Sequence, residues 1–290
     1  RELITDMRFG IRYIRKWDRN LMEGVNLTAL DYEKYKTGNY DILDPSLWLI
    51  YAPVTTTDPY TNKQATFWNQ TNTAVASRPF YTNPPGAKRD YDGVEISFDK
   101  RFSNHWSLSA SFVWQKSRGL IGTDFDDSWT GTSYFDNPNA HINATGRFPY
   151  EREHQLKIQG MWQAPWGILI SGYYRWLDGQ RWTRVIRSLD LGLSLAQGTT
   201  TILAETRGLR KYDPYSMFDM RVEKSFNLPW RTGTFALFVD VFNVFNVAIP
   251  TGLWTRSSST TTVNKQLVQF RELTSLSDPR IFRLGLRYQF

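Results

Sequence analysis

The chain has 290 residues, a formal charge of +7 and 16% aromatic residues, yet it is polar on average, with a mean hydropathy of -0.48. No window holds the ~18 uninterrupted apolar residues of a membrane helix, so helical spans are excluded. Lys and Arg are scattered through the chain instead of forming one basic stripe, which argues against a nucleic-acid partner, and the absence of cysteine fits an envelope protein built without disulfides.

A membrane barrel wall reconciles the aromatic content with the low hydropathy, because lipid-facing and lumen-facing residues alternate and only every second residue must be apolar. The N-terminus, Arg1-Glu2-Leu3-Ile4-Thr5-Asp6, lacks a basic segment followed by an apolar one and so is no signal peptide. The chain opens directly into a strand-like stretch, Met7 to Trp17, which reads as a start inside a domain. Next, Val94, Ile96 and Phe98 oppose Glu95, Ser97, Asp99 and Arg101. From His105 to Gln115, Trp106, Leu108, Ala110, Phe112 and Trp114 share one face, and Ser107, Ser109, Ser111 and Gln115 share the other. An aqueous β-sandwich also alternates, but an apolar stripe that begins and ends in Trp matches the two aromatic girdles of a membrane strand.

The same alternation recurs at Leu156, Ile158, Gly160 and Trp162, opposed by Gln155, Lys157, Gln159 and Gln163. It recurs again at Ile168, Ile170, Gly172, Tyr174 and Trp176, opposed by Ser171, Tyr173 and Arg175. Phe218, Met220, Val222 and Phe226 oppose Asp219, Arg221, Glu223 and Ser225, with Lys224 near the end of the apolar face. Phe235, Leu237, Val239, Val241 and Phe245 form a further stripe, although Phe238 and Phe242 make its other face less polar. The last is Phe282, Leu284, Leu286, Tyr288 and Phe290 against Arg283, Gly285, Arg287 and Gln289. The pattern predicts an all-β, antiparallel transmembrane β-barrel sheet of about eight strands, each near the ~9 to 11 residues that cross a bilayer when tilted.

Connection lengths strengthen this. Ser103-Asn104, Ala164 to Gly167 and Asn227 to Gly233 are tight turns, whereas residues 18–87, 119–149, 185–211 and 248–278 are long and rich in Thr, Ser, Asn, Asp, Gly and Pro. Short periplasmic turns facing long extracellular loops are the rule for outer-membrane barrels, and such long loops are uncommon in compact soluble domains.

The segments YDGVEISFDKRFSNHWSLSASFVWQKSRG (91–119), FDMRVEKSFNLP (218–229), FALFVDVFNVFN (235–246) and RLGLRYQF (283–290) resemble the last strands of TonB-dependent outer-membrane receptors, most closely the Oar-like type with a carboxypeptidase-regulatory-like N-terminal domain. The resemblance covers most strands from about residue 88 onward and, more loosely, residues 2–22. It implies that residues 1–290 are the C-terminal part of one barrel domain of roughly 22 strands. It also implies energy-coupled uptake of a large or scarce substrate by the whole protein in the outer membrane. The implied partners are outer-membrane lipid and lipopolysaccharide, the barrel-assembly machinery, and the TonB complex, reached through a plug absent from this sequence. Phe282, Leu284, Leu286, Tyr288 and Phe290 resemble the assembly signal of the closing strand. Two alternatives stay open: a self-contained small barrel with a structural or adhesive role, and a soluble all-β module; the large, irregular segment 18–87 favours the receptor over the small barrel, which seldom carries so long a loop.

Candidate chemistry is thin. His105, His141 and His154 have no partners at metal-ligand spacing, and no nucleophile elbow surrounds a serine, so neither a cofactor nor an enzymatic activity is expected. Asp124, Asp126 and Asp127 could hold Ca²⁺, but without the Gly and distal Glu of an EF-hand loop a solvated acidic loop is the plainer reading. Lumen candidates for substrate or plug contact are Arg175, Asp219, Arg221, Glu223 and Arg287, with Glu95, Asp99, Arg101, Lys157 and Arg283 beside them; the plainer reading is a wet, mutually compensated wall. Trp129, Tyr134, Phe135, Trp182 and Trp254 could stack on a ligand or pack the loops.

Overall fold

Period-2 alternation with tight turns on one side builds eight long antiparallel strands: β1 (Met7–Asp18), β2 (Arg89–Ser103), β3 (Trp106–Gly119), β4 (His154–Ala164), β5 (Ile168–Leu177), β6 (Tyr215–Asn227), β7 (Thr234–Phe242) and β8 (Ile281–Gln289). They pair in sequence order into one sheet, with the short strand Glu2–Ile4 against β1 and Gly146–Arg147 against β3. The computed structural model describes all residues except 1, 5, 121–133, 228–232, 259–260, 264–265 and 290. Among the described residues no helix is long and apolar enough to cross a membrane.

The tight turns have the chemistry that hairpins demand. Ser103 pairs with Trp106 across Asn104 and His105, both at positive φ, the left-handed pair that matches the twist of the flanking strands. Between β4 and β5, Trp166 and Gly167 take the same region.

Hydrogen-bonded partners followed from Met7 lead through Lys100, Leu108, Gly160, Gly172, Met220 and Val241 to Phe282. That row starts at the short-turn end of β1 and finishes at the loop end of β8, so neighbouring strands slide by roughly one residue per pairing. With a rise of about 3.3 Å per residue and strands about 4.8 Å apart, the slide amounts to a tilt of roughly 35–40°, as in a barrel wall. β1 and β8 are not paired with each other, so the sheet is an open arc.

The register puts the predicted apolar stripes side by side. Ile11, Ile96, Phe112, Leu156 and Trp176 form one row, and Trp106, Trp162, Ile170, Val222, Val239 and Leu284 form another. None of these residues is buried: Ile11, Trp162 and Leu284 are exposed and the others are half-buried. An apolar sheet face left bare to this extent needs lipid, not water, against it.

The buried apolar clusters lie outside the eight strands, in the long loops. Val25, Leu30, Leu47, Trp48, Trp68 and Phe135 centre one, and Phe67, Ile186, Leu195 and Ile202 form a second. Two expectations are corrected here. Residues 18–87 are not irregular: Glu23–Asn26 pairs with Pro79–Thr82, and Tyr51–Asp58 pairs with Lys63–Gln70, because this stretch has enough apolar residues to fold on itself. Nor does the β7 stripe run to Phe245. The strand stops at Phe242, where Asn243 and Asn246 take positive φ, and Phe245 reaches the apolar face from the turn by stacking on Phe218.

Candidate functional site

Residues opposite the lipid face gather on the inner wall because alternation leaves them no other side. All five lumen candidates come together there. Arg175 on β5 reaches Asp219 on β6 at 3.3 Å, and Arg287 on β8 pairs with Glu223 across two strands. Arg221 holds Asp240 with two bonds, from Nε at 2.5 Å and from Nη2 at 3.1 Å, and Arg283 donates to the same carboxylate at 2.7 Å. Asp240 was not singled out from sequence, because Phe238 and Phe242 beside it blur the polar side of β7. Its signal was positional, since the inner face of β7 places it between Arg221 and Arg283.

The carboxylates form the floor and the guanidiniums the surface. Asp240 is 4% exposed and Glu223 3%, whereas the side chains of Arg283 and Arg287 are more than half open. Phe238 and Phe242 lie under the Arg221 and Arg283 guanidiniums at 4.4 and 5.4 Å. A compensated wall with cations outermost suits an anionic group approaching from the lumen. On the other half of the arc, Arg12 meets Glu95 at 3.5 Å and Ser109 donates to Asp99 at 2.7 Å.

Arg175 also borders a cavity of about 530 Å³ between the inner wall and the segment 276–281, with Asp219, Tyr215, Asn243 and Asp278 around it. Its guanidinium lies between the rings of Tyr173 and Tyr215, at 5.2 and 5.5 Å. Its buried Nε has no hydrogen-bond partner among the described residues.

Above the wall, charged residues lock the loops to the strand ends. Glu151 and Glu153 receive Arg181 at 3.1 and 2.7 Å, and Lys211 bridges Glu153 and Asp178 at 3.2 and 2.7 Å. Burial alone would raise the Glu153 carboxyl, but Lys211, Arg147 and Arg181 together outweigh it and hold the group below its ordinary value. Higher still, Arg184 donates to Asp58 at 2.7 Å, both almost wholly buried, and joins the hairpin 51–70 to the hairpin 185–203. Burial would raise Asp58 as well, yet bonds from Arg184, the Tyr60 N–H and Thr61 leave it lowered. A cavity of about 630 Å³ opens beside this pair, walled by Trp68, Ile142, Ile186 and Ile202. None of these loop pairs was foreseen, since their partners lie up to 126 positions apart.

Of the loop aromatics, Phe135 and Trp182 are buried and pack the loops; Tyr134 contacts His141, and Arg256 lies over Trp254 at 4.8 Å. His141 is buried against Phe135, and its pKa is lowered to about 3, first by burial and then by nearby Arg207. Asp124, Asp126, Asp127, Trp129 and the terminal Phe290 lie outside the described residues.

Residues 1–185 match a family model described as an outer membrane beta barrel domain. Among solved structures, the chain is 12% identical to the ferripyoverdine receptor of the outer membrane of Pseudomonas aeruginosa, with a TM-score of 0.46 over 99% of this chain and 25% of that one. It is 12% identical to the outer membrane transporter YddB from Escherichia coli, with a TM-score of 0.48 over 99% of this chain and 31% of that one. To the ferric-catecholate import receptor Fiu of Escherichia coli K12 it is 14% identical, with a TM-score of 0.42 over 99% of this chain and 33% of that one. The chain thus spans a quarter to a third of the length of these structures. No curated protein matches it.

Proposed function

The chain belongs to the outer membrane beta-barrel domain family, and from that premise we propose that it forms the last third of the wall of a TonB-dependent outer-membrane transporter, one that takes up a large or scarce substrate with energy supplied through TonB. The observation that carries this reading is the open arc. β1 and β8 lack each other as partners, and a strand edge in lipid leaves N–H and C=O groups unpaired at several kcal/mol each. Further strands, for roughly 22 in all, would complete the ladder. A self-contained small barrel requires a β1–β8 ladder, which the arc does not have.

The inner wall and the loops divide the work. The loop cap meets the substrate first, and the Arg175 cavity together with Arg221, Arg283 and Arg287 offers guanidinium groups to an anionic part of the substrate or to an acidic face of the plug. The partners in this reading are the TonB complex through the plug, the assembly machinery through the closing strand Phe282 to Phe290, and membrane lipid along the apolar face. The Oar-like type remains part of this proposal, resting on the sequence segments that resemble it. In-cell photo-crosslinking of the whole protein to TonB tests the energy coupling. A TonB adduct that grows when cells are starved and vanishes when the plug's TonB-contacting segment is deleted is the expected result; no adduct under any growth condition overturns the transporter reading.

A further inference from the structure

The apolar face has a notch. Gly160 on β4 and Gly172 on β5 are direct cross-strand partners, so two adjacent positions of the lipid-facing row have no side chain. The gap is a groove of about 540 Å³ walled by Trp106, Trp162, Ile170, Phe218 and Met220. It runs from mid-height on β4 and β5 down to the tryptophans at the short-turn end. An ideal Cβ on Gly160 would approach the tip of Leu108 at 3.3 Å, and one on Gly172 would meet the Phe218 ring at 3.0 Å. The floor therefore admits something slender from outside, while side chains of its own would crowd it.

Two lysines stand outside the groove's lining on the same face, the buried Lys100 and the half-buried Lys224. Lys100 lies in the row of the two glycines, two strands from Gly160, and its Nζ bonds turn oxygens of Ser103 and Trp106 at 2.9–3.1 Å while lying 4.1 Å from the Trp106 ring. Lys224 follows Met220 and Val222 on the outer face of β6 and bonds the Trp166 carbonyl. An apolar groove that faces lipid, with ammonium groups where the bilayer core gives way to headgroups, has the layout of a phospholipid: chain above, phosphate below.

We propose that the Gly160–Gly172 groove holds one acyl chain of a phospholipid from the leaflet at the short-turn side, with its phosphate near Lys224. The leaflet rests on the reading that the short turns face the periplasm, whereas the occupation of the groove rests only on family membership and geometry.

The test uses the whole protein, extracted in mild detergent and incubated with dipalmitoyl phosphatidylglycerol, with bound lipid counted by native mass spectrometry. The wild type should retain one lipid at collision energies that strip the rest. Gly160→Leu, whose Cβ meets the movable Leu108 tip at 3.3 Å and the Ser107 carbonyl at 3.4 Å, should reduce that occupancy at least tenfold while the barrel stays heat-modifiable, and Lys224→Gln should reduce it severalfold. Equal retention by the wild type and a folded Gly160→Leu variant overturns the proposal. A second measurement needs no variant: a phospholipid with a diazirine in its acyl chain, photo-activated in native membranes, should mark peptides from 155–176 well above those from 7–18. Even marking across the outer face overturns the groove. Marking of 155–176 only by lipopolysaccharide with the same photo-group overturns the leaflet assignment and leaves the TonB experiment unaffected.

Discussion

Replacing Asp58 by Asn tests whether the loops are a folded unit in their own right. Asp58 and Arg184 are almost wholly buried, 2.7 Å apart, on hairpins that are distant in sequence. Removing one partner of a buried ion pair costs roughly 3–5 kcal/mol, since the other charge is left unpaired. Asn keeps Oδ1 for the Tyr60 N–H, its amide group can donate to the Thr61 hydroxyl that the other carboxylate oxygen accepted from, and Arg184 keeps Ser257 Oγ at 2.7 Å and Glu205 at 3.8 Å. The loss therefore falls at the lower end, about 3 kcal/mol, which corresponds to about a hundred-fold in an opening equilibrium. Hydrogen exchange read by mass spectrometry on the whole protein in detergent should show amides of 51–70 and 185–203 exchanging about a hundred-fold faster, with β2 to β6 unchanged. Less than threefold acceleration in the hairpins would refute the claim that this pair latches them, and equal acceleration in the sheet would refute the separation of cap from wall.

Cysteines at Leu108 and Phe112 should react far more slowly with a water-soluble thiol reagent in intact membranes than cysteines at Ser109 and Ser111; equal rates would remove the assignment of faces. Deleting Phe290 should lower the amount of heat-modifiable barrel in the outer membrane without lowering synthesis, and normal insertion would remove the assembly-signal reading. His141, neutral in the fold with a pKa of about 3 against an ordinary 6.5, gives stability that is fully present above pH 6.5 and lost as pH falls toward 3. At pH 5 the loss is about 2 kcal/mol, so amides of 134–144 should lose protection between pH 7 and 5, and His141→Phe should flatten that dependence. Identical pH profiles for variant and wild type would show that the imidazole is not responsible.

The strands were legible because membrane residence forces a strict rule on each of them: alternation, a width of about ten residues, and aromatic ends. β3 and β4 follow it position by position, and their observed register aligns Trp106 with Trp162. The rule says nothing about what fills a long loop. Residues 18–87 passed for irregular structure because Val25, Leu30, Leu47 and Trp48 are spread without a period, and only folding brings them into one cluster. Arg175, Asp219, Arg221, Glu223 and Arg287 were visible as inward charges, but their pairing depends on the slide between strands, which no single strand encodes. Asp240 shows the cost of that: local composition hid it, and its role comes from Arg221 on one neighbour and Arg283 on the other.

The separation of buried clusters from the strands has a consequence for calorimetry. The heat-capacity change of unfolding tracks apolar surface newly exposed to water. The sheet's outer residues rest against hydrocarbon when folded and remain near micelle or bilayer when the ladder opens, so the wall contributes little to it. Val25, Leu30, Trp48, Phe67, Phe135 and Ile186 go from a dry interior to water. The heat-capacity step therefore belongs to the loops. Their stability is a curved function of temperature with a maximum and a cold side, while that of the wall beneath them changes almost linearly on warming.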